Sequence, residues 1–284
     1  MKIGIVTDST TDRTPAEYAE HEVVMVPLTV RFGDESHVDW IDVEPKEFYR
    51  RMREADVLPQ TSQPSVQAFV DAYRKLAKTC DHIISLHITS KLSGTIHSAE
   101  AAAKMVKDEI DVIAIDSQVI SLLTWAIIEK LDVARRAGQS LDQLLTIVEE
   151  CSKRARLFFM VENMRYLEMG GRIGKAQSFL GQMLNIKPLL TLTDGGTPTP
   201  LGRAKGTKAG IRELVANAKK VVDAKPAGED VVLIVAHADV PDSLAYAESL
   251  IAELGIRSDR YISGLIGAVV GSHLGPGTIA IGVL

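Results

Sequence analysis

Strand-length apolar runs alternate with helical patterns through the first half of the chain, and this alternation constrains the fold more than any other feature. The runs cover residues 2–6, 23–30, 83–88 and 112–115, and Pro27 interrupts the second of them. Apolar residues at helical spacing fill the intervals between the runs. Because parallel strands need long crossover connections, this pattern predicts a largely parallel sheet covered by helices.

The chain length and a change in the sequence pattern after Phe159 indicate two α/β domains. The chain has 284 residues, a little under two typical domain lengths. A glycine-rich basic segment and a hairpin signal at 193–196 follow Phe159, and helical patterns and short strands then alternate to the end. We expect an N-terminal domain over 1–159 with a Rossmann-like sheet, a C-terminal domain over 160–284, and a ligand crevice between them.

The composition argues against several classes of protein. The net charge is -5, whereas a domain that grips nucleic-acid phosphates is normally basic. No apolar run approaches the length of a membrane span, and the N-terminus lacks the apolar core of a signal peptide, so we expect a cytoplasmic protein. Cys80 and Cys151 lack the spacing of a zinc or redox site. We therefore expect no metal and no cofactor.

Hydroxyl-bearing clusters occur where the predicted strands end or the following helices begin. Asp8, Ser9 and Thr10 follow the first strand, Thr61 and Ser62 precede a helix, and 90–95 joins a strand to a helix. Helix N-termini at the carboxyl edge of a parallel sheet present free N–H groups to an anion. The alternative is that each hydroxyl only caps its own helix, and several clusters together favour a carboxylate or phosphate ligand.

A histidine lies in a second polar segment near the C-terminus. The pattern predicts short strands through Val269 and then a glycine-rich loop over 271–277, which contains His273. An imidazole in such a loop can donate to an anion, although a lone loop histidine is more often an ordinary surface residue. The other six histidines form no metal-ligand pattern.

Positive charge concentrates in the second half of the chain. The segment 170–175 looks like a phosphate loop, but Met169 and Ala176 stand where the Walker pattern needs glycine and Ser or Thr. The cluster is either a solvated face or a docking surface for an acidic partner or a phosphorylated ligand. Its members are Arg172, Lys175, Lys187, Arg203, Lys205 and Lys208.

The common catalytic patterns are missing from the sequence. It contains no nucleophile elbow, no dinucleotide-binding fingerprint after the first strand and no zinc-protease motif. A triad of Ser93, His273 and a carboxylate stays open, because triads are defined by geometry rather than by chain order.

Several short motifs together resemble the DegV family, which in bacteria includes the fatty-acid-binding subunits of fatty acid kinase. They occur in the family's order from end to end of the chain. The matching stretches are Ile5-Val6-Thr7-Asp8-Ser9, Thr61-Ser62-Gln63-Pro64-Ser65, Ser90-Lys91-Leu92-Ser93-Gly94-Thr95, Ile115-Asp116-Ser117, Gly170-Gly171-Arg172-Ile173 and 271–277.

The resemblance implies a lipid-binding carrier without catalytic residues of its own. A long-chain fatty acid would lie in a tunnel between two α/β domains, and a partner fatty acid kinase would convert its carboxylate to an acyl phosphate. Membrane contact would be transient, serving phospholipid metabolism. The implied ligand-binding residues are Thr61, Ser62, Ser93, Gly94, Thr95 and His273, and Arg172 and Arg203 would face the phosphate and the partner.

Two alternatives to the carrier differ in class from it. The first is an acyl hydrolase or transferase that uses Ser93 and His273. The second is an interaction protein that docks through its basic segment and holds a structural lipid.

The sequence departs from the family pattern after Asp116 and Ser117. Leu123 and Trp125 put bulk where the family has small residues, so we expect a reshaped pocket wall. A methionine-rich segment over 164–184 is a hypothesis for a mobile loading element, with ordinary core packing as the favoured alternative.

Overall fold

The computed structural model describes residues 2–55, 57–179 and 185–284. The strands are β1 (Ile3–Asp8), β2 (Val23–Val26), β3 (Thr29–Phe32), β4 (Glu35–Val38), β5 (Gln60–Ser62), β6 (His82–His87), β7 (Asp111–Asp116), β8 (Arg156–Met160), β9 (Ile186–Thr193), β10 (Thr197–Lys205), β11 (Val232–His237), β12 (Arg260–Leu265) and β13 (Ile279–Val283). The helices are α1 (Pro15–Glu20), α2 (Pro45–Glu54), α3 (Val66–Ala77), α4 (Thr95–Met105), α5 (Leu122–Arg136), α6 (Leu141–Arg154), α7 (Arg165–Met169), α8 (Thr207–Asp223), α9 (Pro241–Glu253) and α10 (Ala268–Leu274). Short 3₁₀ helices cover Ser9–Thr11 and Gly174–Phe179.

The first sheet is parallel throughout its described strands. Its order is β2–β1–β6–β7, so β1 and β6 lie in the centre and are buried on both faces. Helices α3 and α4 cover one face with residues such as Phe69, Tyr73 and Ala99. The predicted α/β class with a parallel first sheet is confirmed. Strand ends at Asp8, His87 and Asp116 bring three loops to one edge.

Helix α5 lies between the two large sheets. Eleven of its fifteen residues are buried, among them Leu122, Trp125 and Ile127. A helix buried on most sides is typical of a position between two layers. One side contacts Ile84 and Leu86 of the first sheet within the same core cluster that contains Leu157 and Ile234 of the second.

The second sheet is mixed and has the order β10–β9–β8–β13–β11–β12. β11 and β12 are parallel, whereas β13 inserts antiparallel between β11 and β8. Alternate residues point to opposite faces, so Phe159 and Ile234 face α5 while Phe158 and Leu233 face α8 and α9. The expected domain boundary after residue 159 falls inside β8, which pairs only within this sheet among the described strands. The division into two domains stays a prediction.

Two elements differ from the sequence-based expectation. Residues 29–62 contribute a small antiparallel sheet in the order β4–β3–β5, which the alternation of parallel strands did not predict. Val269, expected in a short strand, and His273, expected in a glycine-rich loop, both lie in α10. This interpretation was wrong because the apolar run 268–270 is too short for its periodicity to separate strand from helix. Residues 180–184 of the hypothetical loading segment lie outside the described residues.

Candidate functional site

An apolar cavity of about 320 Å³ lies between the carboxyl edge of the first sheet and one face of the second. Loops after β6 and β7 supply Ile88 and Ile120, while β8 and β11 supply Phe159 and Ile234. Leu122 and Leu123 at the start of α5 close another side. Such a cavity excludes water from a flexible apolar ligand. The remaining apolar lining residues are Leu28, Leu92, Leu157, Leu167, Leu192, Pro198, Ala236, Ile266, Val269, Val270, Leu274 and Ala280.

A hydrogen-bonded pair of side chains forms one polar end of this cavity. His273 Nε2 and Thr61 Oγ1 lie 2.8 Å apart, although 212 positions separate them in sequence. The small antiparallel sheet places Thr61 by pairing it with Val30, and α10 places His273 in its last turn. His273 Nδ1 is buried, has no hydrogen-bond partner among the described residues, and faces Gly170.

The pair keeps one hydrogen-bond donor for a ligand. Burial, followed by the charge of Arg172, lowers the pKa of His273 to about 4, so its imidazole is neutral near pH 7. The hydroxyl and the neutral ring carry two exchangeable protons and share only one between them. The second proton lies either on His273 Nδ1 or on Thr61 Oγ1. An anionic oxygen entering the cavity is the complementary acceptor.

Ser93 places a further hydroxyl at the cavity. It lies just before α4, and its Oγ is 2.8 Å from Thr95 Oγ1 and accepts from the Thr95 backbone N–H at 3.3 Å. Gly94 precedes the helix and makes no side-chain cap, and the His97 N–H donates to the Gly94 carbonyl at 3.0 Å. The positive end of the helix dipole favours an anion beside Ser93.

Arg172 joins two walls of the cavity. Its Nε donates to the carbonyl of Leu92 at 3.1 Å, and its Nη1 donates to the carbonyl of Gly170 at 2.6 Å. The side chain is half-buried and lines the cavity. A guanidinium held in this way supplies a fixed positive charge beside His273 and Ser93.

Buried groups of the first half anchor the helix that carries His273. Asp12 Oδ1 accepts from the backbone N–H of Gly267 at 2.9 Å, at the start of α10. Tyr49 Oη donates to the carbonyl of Ile266 at 3.0 Å. Burial raises the pKa of Asp12 well above its usual value, although Ser121 and Gly267 both donate to it. These contacts fix α10, and therefore His273, against the edge of the first sheet.

The structure brings most of the expected site residues together. Thr61, Ser62, Ser93, His273 and Arg172 all line the cavity. Gly94 and the buried Thr95 follow Ser93 in the sequence and do not line the cavity. Arg203 is exposed on β10, where its guanidinium stacks over the Phe179 ring at 4.5 Å and donates to the carbonyl of Ser178. It does not line the cavity, and its place on a partner side stays a prediction.

The positive charges of the second half have separate partners. Lys175 pairs with Asp194, and Lys187 pairs with Glu162. Lys208 lies 5.6 Å from the centre of the Tyr246 ring. Of the six basic residues, only Arg172 lines the cavity. These contacts distribute the charge over several surface neighbours.

The two bulky residues near the start of α5 have different surroundings. Leu123 lines the cavity, as expected for a reshaped wall. Trp125 instead packs edge-on against Tyr18 and His21, and its Nε1 donates to Glu129. Only Leu123 is therefore in a position to limit the space for a ligand directly.

The contacts of Ser93 and His273 do not form the predicted nucleophilic pair. Ser93 bonds to Thr95 and His273 bonds to Thr61, and within the described chain no carboxylate accepts from His273. A Ser–His–Asp chain does exist elsewhere, since Ser85 Oγ lies 2.6 Å from His87 Nε2 and His87 Nδ1 lies 2.9 Å from Asp8. All three residues of that chain are fully buried, and none lines the cavity.

Two polar lining residues were not expected as ligand residues. Gln63 lines the cavity and donates to Ser98 at 2.9 Å, and Ser121 lines it immediately before α5. Their positions beside the carboxyl edge of the first sheet were the available signal for including them. Thr10, from the cluster expected after the first strand, also lines the cavity.

Fold and site together define an α/β protein with an apolar cavity between two sheets and hydrogen-bonding side chains at one end of that cavity. A family model described as an uncharacterised protein of the DegV family matches residues 2–284. The chain belongs to the DegV family.

Known relatives match along nearly their whole length. The protein DegV of Bacillus subtilis is 32% identical, over 99% of this chain and 98% of the relative. A fatty-acid-binding DegV family protein of Thermus thermophilus superposes with a TM-score of 0.93 at 33% identity, covering 100% of this chain and 99% of that one. A stearic-acid-binding protein of Eubacterium ventriosum has a TM-score of 0.88 at 27% identity, covering 99% and 97%.

The described part of the chain contains neither a candidate membrane span nor a candidate metal cluster. Within residues 2–55, 57–179 and 185–284, no helix combines the length and apolar character that a membrane crossing requires. In the same residues, no group of three or more His, Cys, Asp or Glu side chains has a metal-binding arrangement.

Proposed function

We propose that this protein binds a long-chain fatty acid in the cavity and presents its carboxylate to a partner kinase, which forms an acyl phosphate. The observation that carries the proposal is an apolar cavity of about 320 Å³ with the Thr61–His273 pair at a polar end. The fatty-acid-binding relatives from Thermus thermophilus and Eubacterium ventriosum support the same ligand class.

The energetics favour a ligand that has both an acyl chain and a carboxylate. Burial of each methylene contributes about 0.8 kcal/mol, so an acyl chain alone provides ample affinity. A carboxylate is costly to bury unless donors replace its water. Thr61 or His273 and Ser93 supply those donors, and the positive end of α4 and Arg172 offset the charge. The protein itself acts as a carrier in the cytoplasm, with transient membrane contact during loading.

Binding is tested by titration with octadecanoic acid in competition with a fluorescent fatty acid. Thr61→Val and Ser93→Ala are each expected to weaken binding about tenfold, because each removes a hydrogen bond to a charged group. Thr146→Val is the matched control, since Thr146 is exposed and donates only to the Asp142 carbonyl of its own helix. Unchanged affinity in both site variants would show that the carboxylate does not lie at this end of the cavity.

Presentation to a kinase needs a second experiment. The loaded protein is mixed with a fatty acid kinase subunit and ATP, and acyl phosphate is trapped with hydroxylamine and measured. Arg172→Gln is expected to reduce product formation more than it reduces lipid occupancy. Equal product from wild type and Arg172→Gln would contradict the role assigned to that side chain.

A further inference from the structure

The cavity contains a second polar position, formed by Thr10 and Ser121. Thr10 lies in the short 3₁₀ helix after β1, and Ser121 immediately precedes α5. Both residues are buried and both line the cavity. Neither forms a hydrogen bond with Thr61, Ser93, Arg172 or His273 within the described residues, so this position is separate from the carboxylate end.

Two buried aspartates fix both hydroxyl groups. Thr10 Oγ1 donates to Asp8 Oδ1 at 2.5 Å, and Asp8 Oδ2 in turn contacts His87 Nδ1 at 2.9 Å and accepts from the Ile88 N–H at 3.2 Å. Ser121 Oγ donates to Asp12 Oδ2. Each hydroxyl oxygen therefore keeps lone pairs that accept hydrogen bonds, and neither side chain turns freely.

Helix α10 separates the two polar positions. Its N-terminus is held at Gly267 by Asp12, the same carboxyl group that binds Ser121, and its last turn carries His273. Six residues of helix span about 9 Å at 1.5 Å per residue. Apolar side chains of Ile266, Val269 and Val270 line the cavity along that length.

We propose that the preferred ligand is a fatty acid that carries a hydroxyl group partway along its chain, bound by Thr10 and Ser121. The inference rests on the proposed function, since the carboxylate is held at His273 while the chain passes α10. A ligand hydroxyl donates to these fixed oxygens, whereas a plain methylene leaves them without that bond. Sites built to bond a hydroxyl discriminate against analogues that lack it.

The test compares octadecanoic acid with hydroxyoctadecanoic acids that carry the hydroxyl at successive mid-chain positions. Dissociation constants are measured for wild type, Thr10→Val and Ser121→Gly. Glycine suits position 121 because Ser121 has a φ of 62°. In each variant, the affinity for one positional isomer is expected to fall about threefold to tenfold more than the affinity for octadecanoic acid. Thr10→Ser keeps the hydroxyl and is expected to keep the wild-type ratio.

A control separates this inference from the proposed function. Thr61→Val weakens the carboxylate end, so it is expected to lower both affinities equally and leave their ratio unchanged. If octadecanoic acid binds but no isomer's ratio changes in Thr10→Val or Ser121→Gly, the hydroxyl inference fails while the carrier survives. If neither octadecanoic acid nor any hydroxyoctadecanoic acid binds the wild-type protein, both the proposed function and the hydroxyl inference fail.

Discussion

Two histidines contact a hydroxyl group, but their surroundings give them opposite roles. His87 is fully buried, with Ser85 on one ring nitrogen and Asp8 on the other. His273 has Thr61 on one nitrogen and none of the described residues on the other. A buried ring with both nitrogens bonded contributes to stability, whereas His273 lines the cavity and keeps one nitrogen without a partner among the described residues.

Substitution of each histidine by leucine tests that contrast, and the larger loss of stability is expected at His87. His87→Leu removes both hydrogen bonds and puts an apolar side chain against the buried Asp8 and Ser85, which keep Thr10 and Tyr73 as partners. The free energy of unfolding, measured by chemical denaturation, is expected to fall by about 3 kcal/mol. A loss below about 1 kcal/mol would show that this buried chain contributes little to stability.

His273→Leu is expected to affect binding instead of folding. Loss of a hydrogen bond to a charged carboxylate weakens fatty acid binding by about tenfold to a hundredfold. The unfolding free energy should change by less than about 1 kcal/mol, since one nitrogen has no partner to lose. Titration and denaturation of the same preparation measure both. A stability loss as large as that of His87→Leu would erase the distinction.

The pH dependence of stability sharpens the role of His273. Its pKa is lowered from the usual 6.5 to about 4, so between these values the unfolded chain binds a proton that the folded protein does not. Stability in the lipid-free protein is therefore expected to fall as the pH drops from 6.5 towards 4, by at most about 1.4 kcal/mol per pH unit from this group. The difference between wild type and His273→Leu isolates that contribution, and parallel curves would contradict it.

A smaller effect is expected from crowding the histidine without changing it. A Cβ on Gly170 would lie 2.3 Å from His273 Nδ1, so Gly170→Ala should displace the ring and weaken binding about threefold to tenfold. Gly202→Ala is the matched control, because the nearest atom to its Cβ lies 4.0 Å away on Leu189. Equal affinities in the two variants would place the ligand away from this nitrogen.

The sequence was a good guide where periodicity was long and uninterrupted. Helix α5 covers Leu122–Arg136, and fifteen residues without glycine or proline are longer than a typical strand and favour a helix. The parallel strands of the first sheet followed from alternation with helices. The eight expected site residues came from a family resemblance, and the geometry brings five of them to the cavity wall.

Long-range pairing accounts for what was missed. No local pattern places Thr61 beside His273, inserts β13 antiparallel between β8 and β11, or pairs His87 with Asp8. Helix α10 is only seven residues long, and tertiary contacts from Asp12 and Tyr49 decide its conformation. Arg203 packs over the Phe179 ring, and its place on a partner side stays a prediction.

Native mass spectrometry of the purified protein, followed by extraction and identification of the released lipid, tests the central claim most directly. We expect one long-chain fatty acid per chain in the wild-type protein and reduced occupancy in His273→Leu and Ser93→Ala. A protein without lipid, or a non-carboxylate lipid that both variants retain equally, would contradict the assignment of the Thr61–His273 end as the carboxylate site.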